Sequence, residues 1–244
     1  MPEIGPEEKA IGEHVASLIH DGDTIQLGIG SIPDAAAMAF RGKKDLGVHT
    51  EMITSSVADL AEEGVINNKR KSYFKDRMLG TFIFGDEKLY RFVDRNPAIQ
   101  LMDSEFVNNP FEIAKNDNMV SVNTSMAVDL TGQAASETIG TLQYSGSGGQ
   151  NDTAEGAIHA KNGRSILALK STAKNGTVSA VSACLPLGSV VTLSRNNVDY
   201  IITEFGIAKM KGMDVSERAQ ALIAIAHPDF REALTAEAKK YNFL

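Results

Sequence analysis

Thr24-Ile25-Gln26-Leu27-Gly28-Ile29-Gly30-Ser31-Ile32-Pro33 is the stretch whose reading decides the fold. A short β-favouring run enters a glycine-rich turn, and Pro33 then stands at the start of the helix-forming run Ala35 to Phe40. Strand, tight loop and helix in that order form the first step of an α/β unit. Upstream, Ile11, Val15, Leu18 and Ile19 recur at helical spacing between Pro6 and His20, and Asp21-Gly22-Asp23 ends the pattern. Downstream, Val48 to Ile53 reads as a strand before a helix around Val57 to Glu63. Met78 to Phe84 reads as another before a helix around Glu87 to Val93. This alternation predicts an α/β fold with an open, mostly parallel sheet flanked by helices.

Past Pro97 the pattern changes. Met119 to Asp129 and the segment after Gly132 read as a hairpin, and Ser165 to Lys170, Val190 to Leu193 and Tyr200 to Thr203 are β-rich runs separated by Gly and Asn. The second half is therefore expected to be strand-rich. Two helices should close the chain, Val215 to Ala226 and Pro228 to about Tyr241, the second with Asp229 and Glu232 near its start and Lys239 and Lys240 near its end.

With 244 residues, 43% apolar and 23% charged, the composition suits one sizeable core, and a single domain over residues 1–244 is expected. The net charge of -7 and the scattered basic residues leave no stripe to neutralise phosphate backbones, which excludes nucleic acid as a partner. Cys184, the one cysteine, can form no internal disulfide, and its neighbours Ala183 and Leu185 predict a buried thiol in a reducing compartment. The opening MPEIGPEEKAIGEHV lacks the basic start and apolar core of a secretory signal, and no apolar run approaches the roughly 20 residues that span a bilayer. A cytoplasmic protein without a membrane partner is expected. The five histidines are dispersed, so no metal site is expected.

Three features carry chemistry. The turn Gly28-Ile29-Gly30 lets backbone N–H groups approach an anion at a helix start, and Pro33 in place of glycine breaks the dinucleotide-binding fingerprint. Glu51 falls near the carboxyl end of the second strand, where parallel sheets gather their ligands. Most glutamates are solvated surface residues, but this one is embedded in a strand-like segment, with His49 two residues before it on the same face. The third feature, Tyr144-Ser145-Gly146-Ser147-Gly148-Gly149-Gln150-Asn151-Asp152, is too glycine-dense for a regular element and suits close backbone approach to a ligand. No GxSxG occurs, and Ser147 lacks the frame of a nucleophile elbow.

In this order the three features resemble class I CoA-transferases, specifically the acetyl-CoA hydrolase/transferase family. The stretches that carry the resemblance include DGDTIQLGIGSIPDAA, LGVHTEM, KLYRFVDRNP, NDNMVSVNTSMAVDLTGQ, YSGSGGQND and SRNNVDYIITEFGIAKMKGMDVSERAQALIAIAHPDF. The resemblance implies a NagB/RpiA-like sheet and a catalytic role for Glu51. It implies a coenzyme A and oxyanion environment from Gln26, Leu27, Gly28, Ile29 and Gly30. Gly146, Gly148 and Gly149 become a second glycine loop at the thioester, and Lys174 a contact to the CoA phosphates. Coenzyme A would be a substrate, with no tightly bound cofactor. The implied reaction moves CoA between a short-chain acyl-CoA and a small carboxylate of the acetate, butyrate or 4-hydroxybutyrate type, through a glutamyl-CoA thioester. Two alternatives stay open: an acyl-CoA hydrolase using the same site, and a non-catalytic remnant that binds CoA or a partner chain.

The chain departs from the family pattern at Ala127, Thr153, Glu155 and Ala180, where glutamate, phenylalanine, arginine and arginine are usual. It also matches only the C-terminal half of family members. The resemblance therefore implies a partner, either a second CoA-transferase half or a subunit, within a homo-oligomer, and an exposed face that such a partner covers.

Overall fold

The computed structural model describes residues 4–244; Met1 to Glu3, the start of the acidic opening stretch, lie outside the described residues. Helix α1 (Pro6–Ser17) leads to strand β1 (Thr24–Leu27), helix α2 (Ser31–Ala39) and strand β2 (Gly47–Val48). Helices α3 (Ser55–Glu62) and α4 (Glu87–Val93) follow, then strand β3 (Met119–Thr124), helix α5 (Gln150–His159) and strand β4 (Arg164–Ala168). The chain ends with strands β5 (Tyr200–Thr203) and β6 (Gly206–Lys209) and helices α6 (Val215–Ile225) and α7 (Pro228–Lys240). The central sheet runs β2-β1-β3-β4-β5-β6; all neighbours pair in parallel except the edge strand β6, which turns back on β5. The expected α/β architecture, a parallel-rich sheet flanked by helices, is present.

Strand order reverses between β1 and β3: the chain first adds β2 on one side of β1, then returns to build outward from the other. Such a switch point opens a crevice at the carboxyl ends of the two strands. Alternation along each strand sends Ile25, Leu27, Val120, Val122, Ile166, Ala168 and Ile202 into one core with Ile11, Val15 and Phe40. On the opposite face Leu167, Ile201 and Ala154 join Leu222 and Leu234 of the C-terminal helices in a second core. Toward the carboxyl ends of β1 and β3 the residues on that opposite face are polar: Gln26, Ser121 and Asn123, all buried.

Five local expectations are corrected. Val48 to Ile53 is not one strand: β2 pairs with β1, whereas Met52–Ile53 pairs with Phe82–Ile83, and Glu51 sits in the bend between. Met78 to Phe84 breaks in the same way, with Met78–Gly80 pairing to Ile99–Leu101. The hairpin is confined to Ala127–Asp129 against Ala134–Ala135, because Met119–Thr124 is drawn into the central sheet. Val190 to Leu193 forms a single bridge from Leu193 to Ala134, since a β-favouring run without a partner ladder stays irregular. Cys184 is exposed rather than buried: the chain leaves the Val181–Ser182 strand, and Ala183 takes the inward position. Among the described residues no helix is long and apolar enough to cross a membrane.

His49 anchors the segment that carries Glu51. Its ring is 1% exposed, with Nε2 2.8 Å from the Val107 carbonyl and Nδ1 2.9 Å from the Asn116 side-chain amide. A carbonyl only accepts and an amide nitrogen only donates, so the ring must be neutral with its hydrogen on Nε2. Burial pushes its pKa down to about 4, against the smaller upward effect of the Val107 bond; the nearby Lys71 charge adds to the lowering. Between that value and the ordinary 6.5, the unfolded chain binds a proton that the folded chain refuses, so stability falls as pH drops through this window, by on the order of 3 kcal/mol at pH 4. Denaturation midpoints should accordingly fall further from pH 7 to pH 4.5 in the natural chain than in His49→Gln. Equal losses would refute the assignment.

Helices α1 and α2 cross closely because Gly12 has no side chain: a Cβ there would lie 2.7 Å from the backbone carbonyl of Ala35. Gly12→Ala should lower stability by about 1–3 kcal/mol through overpacking, net of its better helix propensity. Urea unfolding with an unchanged m-value is the check.

Candidate functional site

A cleft of about 300 Å³ opens at the carboxyl ends of β1 and β3, where the strand order reverses. The ends of the two strands form its floor, the Thr50–Met52 bend one wall, and the second glycine loop another. Gln26, Leu27, Gly28, Ile29, Glu51, Gly146, Gly148 and Gly149, dispersed over 124 positions from the first to the last, all line it. Gly30 lies just outside, on an apolar shoulder continuous with the cleft that includes Met52, Phe82 and Phe84. Lys174 is elsewhere: it is exposed at the tip of the hairpin between Thr172–Ala173 and Val178–Ser179 and is not part of the lining.

The broken strands explain how Glu51 is presented. Thr50 donates its N–H to Leu79, and the Glu51 carbonyl accepts from both Thr81 and Phe82, at 2.8 and 3.2 Å. The main chain is fixed on either side of a bend, and the half-exposed side chain is left to reach the cleft. There its Oε2 accepts a 3.1 Å hydrogen bond from the Gly149 N–H, at the first turn of α5. Unpaired amides and the dipole of a helix N-terminus favour a negative carboxylate at this point.

Gly149 is glycine for a steric reason. A Cβ on it would stand 2.6 Å from Glu51 Oε2 and 2.7 Å from Asn108 Nδ2. Asn108 thus presses its amide against the same small surface as the carboxylate, and its Oδ1 is buried without a partner among the described residues. Little in the local pattern points to Asn108, because it lies between two one-turn helices, Ser104–Val107 and Pro110–Ile113, where Asn109-Pro110 signals only a turn. At the first loop, Gly30 has φ +114° and caps α2, a conformation that excludes a side chain. The Gly28 N–H is tied to Val122 at 2.9 Å as an extension of the sheet, whereas the Ile29 N–H has no partner among the described residues. Ile29, rather than Gly28, is therefore the amide available to a ligand.

Behind the cleft the polar residues of β1 and β3 form one network. Gln26 Oε1 accepts from Ser121 Oγ at 3.0 Å and from Asn123 Nδ2 at 3.2 Å, while Gln26 Nε2 donates to Asn123 Oδ1 at 3.1 Å. Asn123 Nδ2 also reaches Thr153 Oγ1 at 3.1 Å, and Thr153 donates to the Gln150 carbonyl. Of the four departures from the family pattern, only Thr153 lines the cleft; Ala180 belongs to the second apolar core, and Ala127 and Glu155 stand outside the lining. His49 does not face the cleft, because both of its nitrogens are engaged behind the bend. Asp152 lies near Glu51, and its carboxyl is pushed up by burial first, then by the charges of Glu155 and Glu51.

Residues 85–238 match the family described as Acetyl-CoA hydrolase/transferase C-terminal domain. The chain is 52% identical to 4-hydroxybutyrate coenzyme A transferase of Clostridium kluyveri, over 98% of this chain and 56% of that protein. It is 45% identical to succinyl-CoA:cyclohexane-1-carboxylate CoA transferase of Geobacter metallireducens, over 99% and 55%. It thus spans about half the length of these curated relatives. Among solved structures, RipA from Yersinia pestis superposes with a TM-score of 0.95 at 40% identity, covering 100% of this chain and 55% of that one. The 4-hydroxybutyrate CoA-transferase of Porphyromonas gingivalis superposes with a TM-score of 0.87 at 44% identity, over 99% and 57%. Two glycine loops meeting at a switch-point carboxylate, together with these likenesses, establish that the chain belongs to the acetyl-CoA hydrolase/transferase family.

Proposed function

We propose that this site transfers coenzyme A between a short-chain acyl-CoA and a carboxylate, with Glu51 as the nucleophile. One observation carries the reading: the Glu51 carboxylate stands between the two glycine loops, with one oxygen on the Gly149 amide and the other outside that bond. A Glu51 oxygen attacks the thioester carbonyl, the C–S bond breaks, and CoA leaves as thiolate from a mixed anhydride. The thiolate attacks the glutamyl carbonyl and expels the acyl carboxylate, leaving a glutamyl-CoA thioester. An incoming carboxylate then runs the two steps in reverse. Covalent catalysis of this kind divides one difficult exchange into easier ones and conserves the energy of the thioester.

Each step passes through a tetrahedral oxyanion, for which the partnerless Ile29 amide is a suitable donor; a well-aimed donor is worth roughly 3 kcal/mol. The Gly149 amide orients the attacking carboxylate, which supplies the positioning that a weak nucleophile needs. The apolar shoulder beside the cleft leaves Ile29 64% and Phe84 68% exposed, large side chains suited to burial against the second half that full-length relatives carry.

Mass spectrometry of the chain mixed with acyl-CoA and a separately produced N-terminal half should find a CoA adduct on Glu51 that Glu51→Ala lacks. Added acetate should convert the adduct to acetyl-CoA without release of free CoA; free CoA released whether or not acetate is present would identify a hydrolase, and no adduct would remove the catalytic reading. Gly149→Ala, whose new methyl group collides with Glu51 and Asn108, should lower the rate of adduct formation by about 100-fold or more while the fold, followed by circular dichroism, is retained.

A further inference from the structure

His49 lies two residues before Glu51 and takes no part in the cleft, yet what its ring holds leads back to that carboxylate. Its main chain is fixed in the sheet: the N–H donates to the Ile25 carbonyl at 3.1 Å, and the residue bridges to Leu79. From this fixed point the ring grips one segment at both ends. Nε2 donates to the Val107 carbonyl at 2.8 Å, and Nδ1 accepts from the Asn116 side-chain amide at 2.9 Å. The same amide donates to the Ile113 carbonyl at 3.3 Å, so the turn between is tied as well. Two side chains of this segment press on α5. Ile113 lies so close that a Cβ on Gly156 would stand 2.5 Å from the isoleucine Cβ, and Asn108 Nδ2 stands 2.7 Å from the Cβ position of Gly149. Gly149 caps α5 and gives its N–H to Glu51 Oε2 at 3.1 Å. The contacts therefore close into a ring: Glu51, His49, residues 107–116, α5 at two points, and Glu51 again.

We infer that His49 is a positioning residue for Glu51: its ring spaces the 107–116 segment from the sheet, and that segment seats α5 so that the Gly149 amide meets the carboxylate. Its part in catalysis rests on the reading of Glu51 as the nucleophile. A closed ring of packed contacts fixes a distance that no single bond in it could, because any other seat for α5 breaks a buried hydrogen bond or overlaps packed atoms. A carboxylate is a weak nucleophile, so a misplacement of about 1 Å slows attack by as much as about 100-fold without touching the rest of a bound thioester. The bond to Val107 is the one that matters, since Asn108 follows directly in the chain. Glutamine places an amide nitrogen where Nε2 lies and can keep that bond. Asparagine is one methylene shorter, reaches only as far as Nδ1, and loses it.

The first measurement needs no substrate. In proton–nitrogen correlation spectra of the full chain, the Gly149 amide proton should resonate further downfield in the natural protein than in Glu51→Ala, which lacks the acceptor. His49→Gln should keep the natural position, and His49→Asn should move to that of Glu51→Ala. The second measurement follows the reaction with acyl-CoA and a separately produced N-terminal half. His49→Asn should slow adduct formation at saturating acyl-CoA about tenfold or more with the half-saturating concentration unchanged, while His49→Gln stays within about threefold of the natural rate. Gly156→Ala pushes on Ile113 from the opposite side, at a helix position where alanine is favourable, and should have the same two effects as His49→Asn; it decides the question if His49→Asn does not fold. The inference is overturned by an unmoved Gly149 signal in Gly156→Ala or in folded His49→Asn, by a loss in His49→Gln as large as in His49→Asn, or by a raised half-saturating concentration at an unchanged rate. If the natural chain itself forms no adduct, CoA transfer at Glu51 fails, and the Gly149 signal alone still upholds or overturns the spacing role of His49.

Discussion

The bend at Glu51 is the constraint on which the site depends. A continuous strand from Gly47 to Ile53 would alternate its side chains between two packed faces, and Glu51 would be directed into a layer of the sheet. Instead the pairing changes partner: β2 hydrogen-bonds to β1, His49 bridges to Leu79, and Met52–Ile53 joins Phe82–Ile83. The Glu51 carbonyl accepts two amides across this change, so no main-chain acceptor is lost where the ladder breaks. The side chain is thereby released from the alternation and directed to the crevice, with a rigid main chain behind it. His49 and Lys71 stiffen that support from below. Lys71 donates to the Val48 and Arg77 carbonyls, and burial pushes its pKa down to about 7.

A second constraint is the composition of the sheet itself. Parallel strands covered on both faces usually read as continuous apolar runs. Here β1 and β3 keep one apolar face, Ile25, Leu27, Val120 and Val122, and give the carboxyl-end part of the other to Gln26, Ser121 and Asn123. Such a layer is tolerable only because its members satisfy one another, and a half-satisfied network would be worse than an apolar one. Its location beneath the cleft, where α5 begins, makes the polar layer a floor for a ligand rather than an isolated core feature.

Much of this was legible from residue pattern. The glycine turn followed by Pro33, the helical spacing of Ile11, Val15 and Ile19, and the charge gradient of the last helix all placed elements within a few residues of where they lie. Glu51 and both glycine loops were brought into one cleft, as the placement of ligand sites at carboxyl ends of parallel strands implies. What escaped was set by long-range pairing. No local signal says that Val48 to Ile53 changes partner midway, or that Met119 to Thr124 enters the central sheet instead of folding back on Gly132. Asn108 reaches the site from between two one-turn helices, 57 positions after Glu51, so only the closed fold reveals it. Lys174, expected at the CoA phosphates, stands at a hairpin tip outside the cleft.

The electrostatics of the cleft follow a similar balance. One amide at the start of α5 holds the Glu51 carboxylate, and the helix dipole adds to that attraction. Asp152, on the same first turn, opposes it, and its own carboxyl is pushed up by burial and by the neighbouring charges of Glu155 and Glu51. A carboxylate held by several strong donors is stable but unreactive, because attack must first break those bonds. A single amide with acidic neighbours orients Glu51 without deepening its ground state. In the proposed reaction, the geometry that holds Glu51 in place therefore also leaves its anion available for attack.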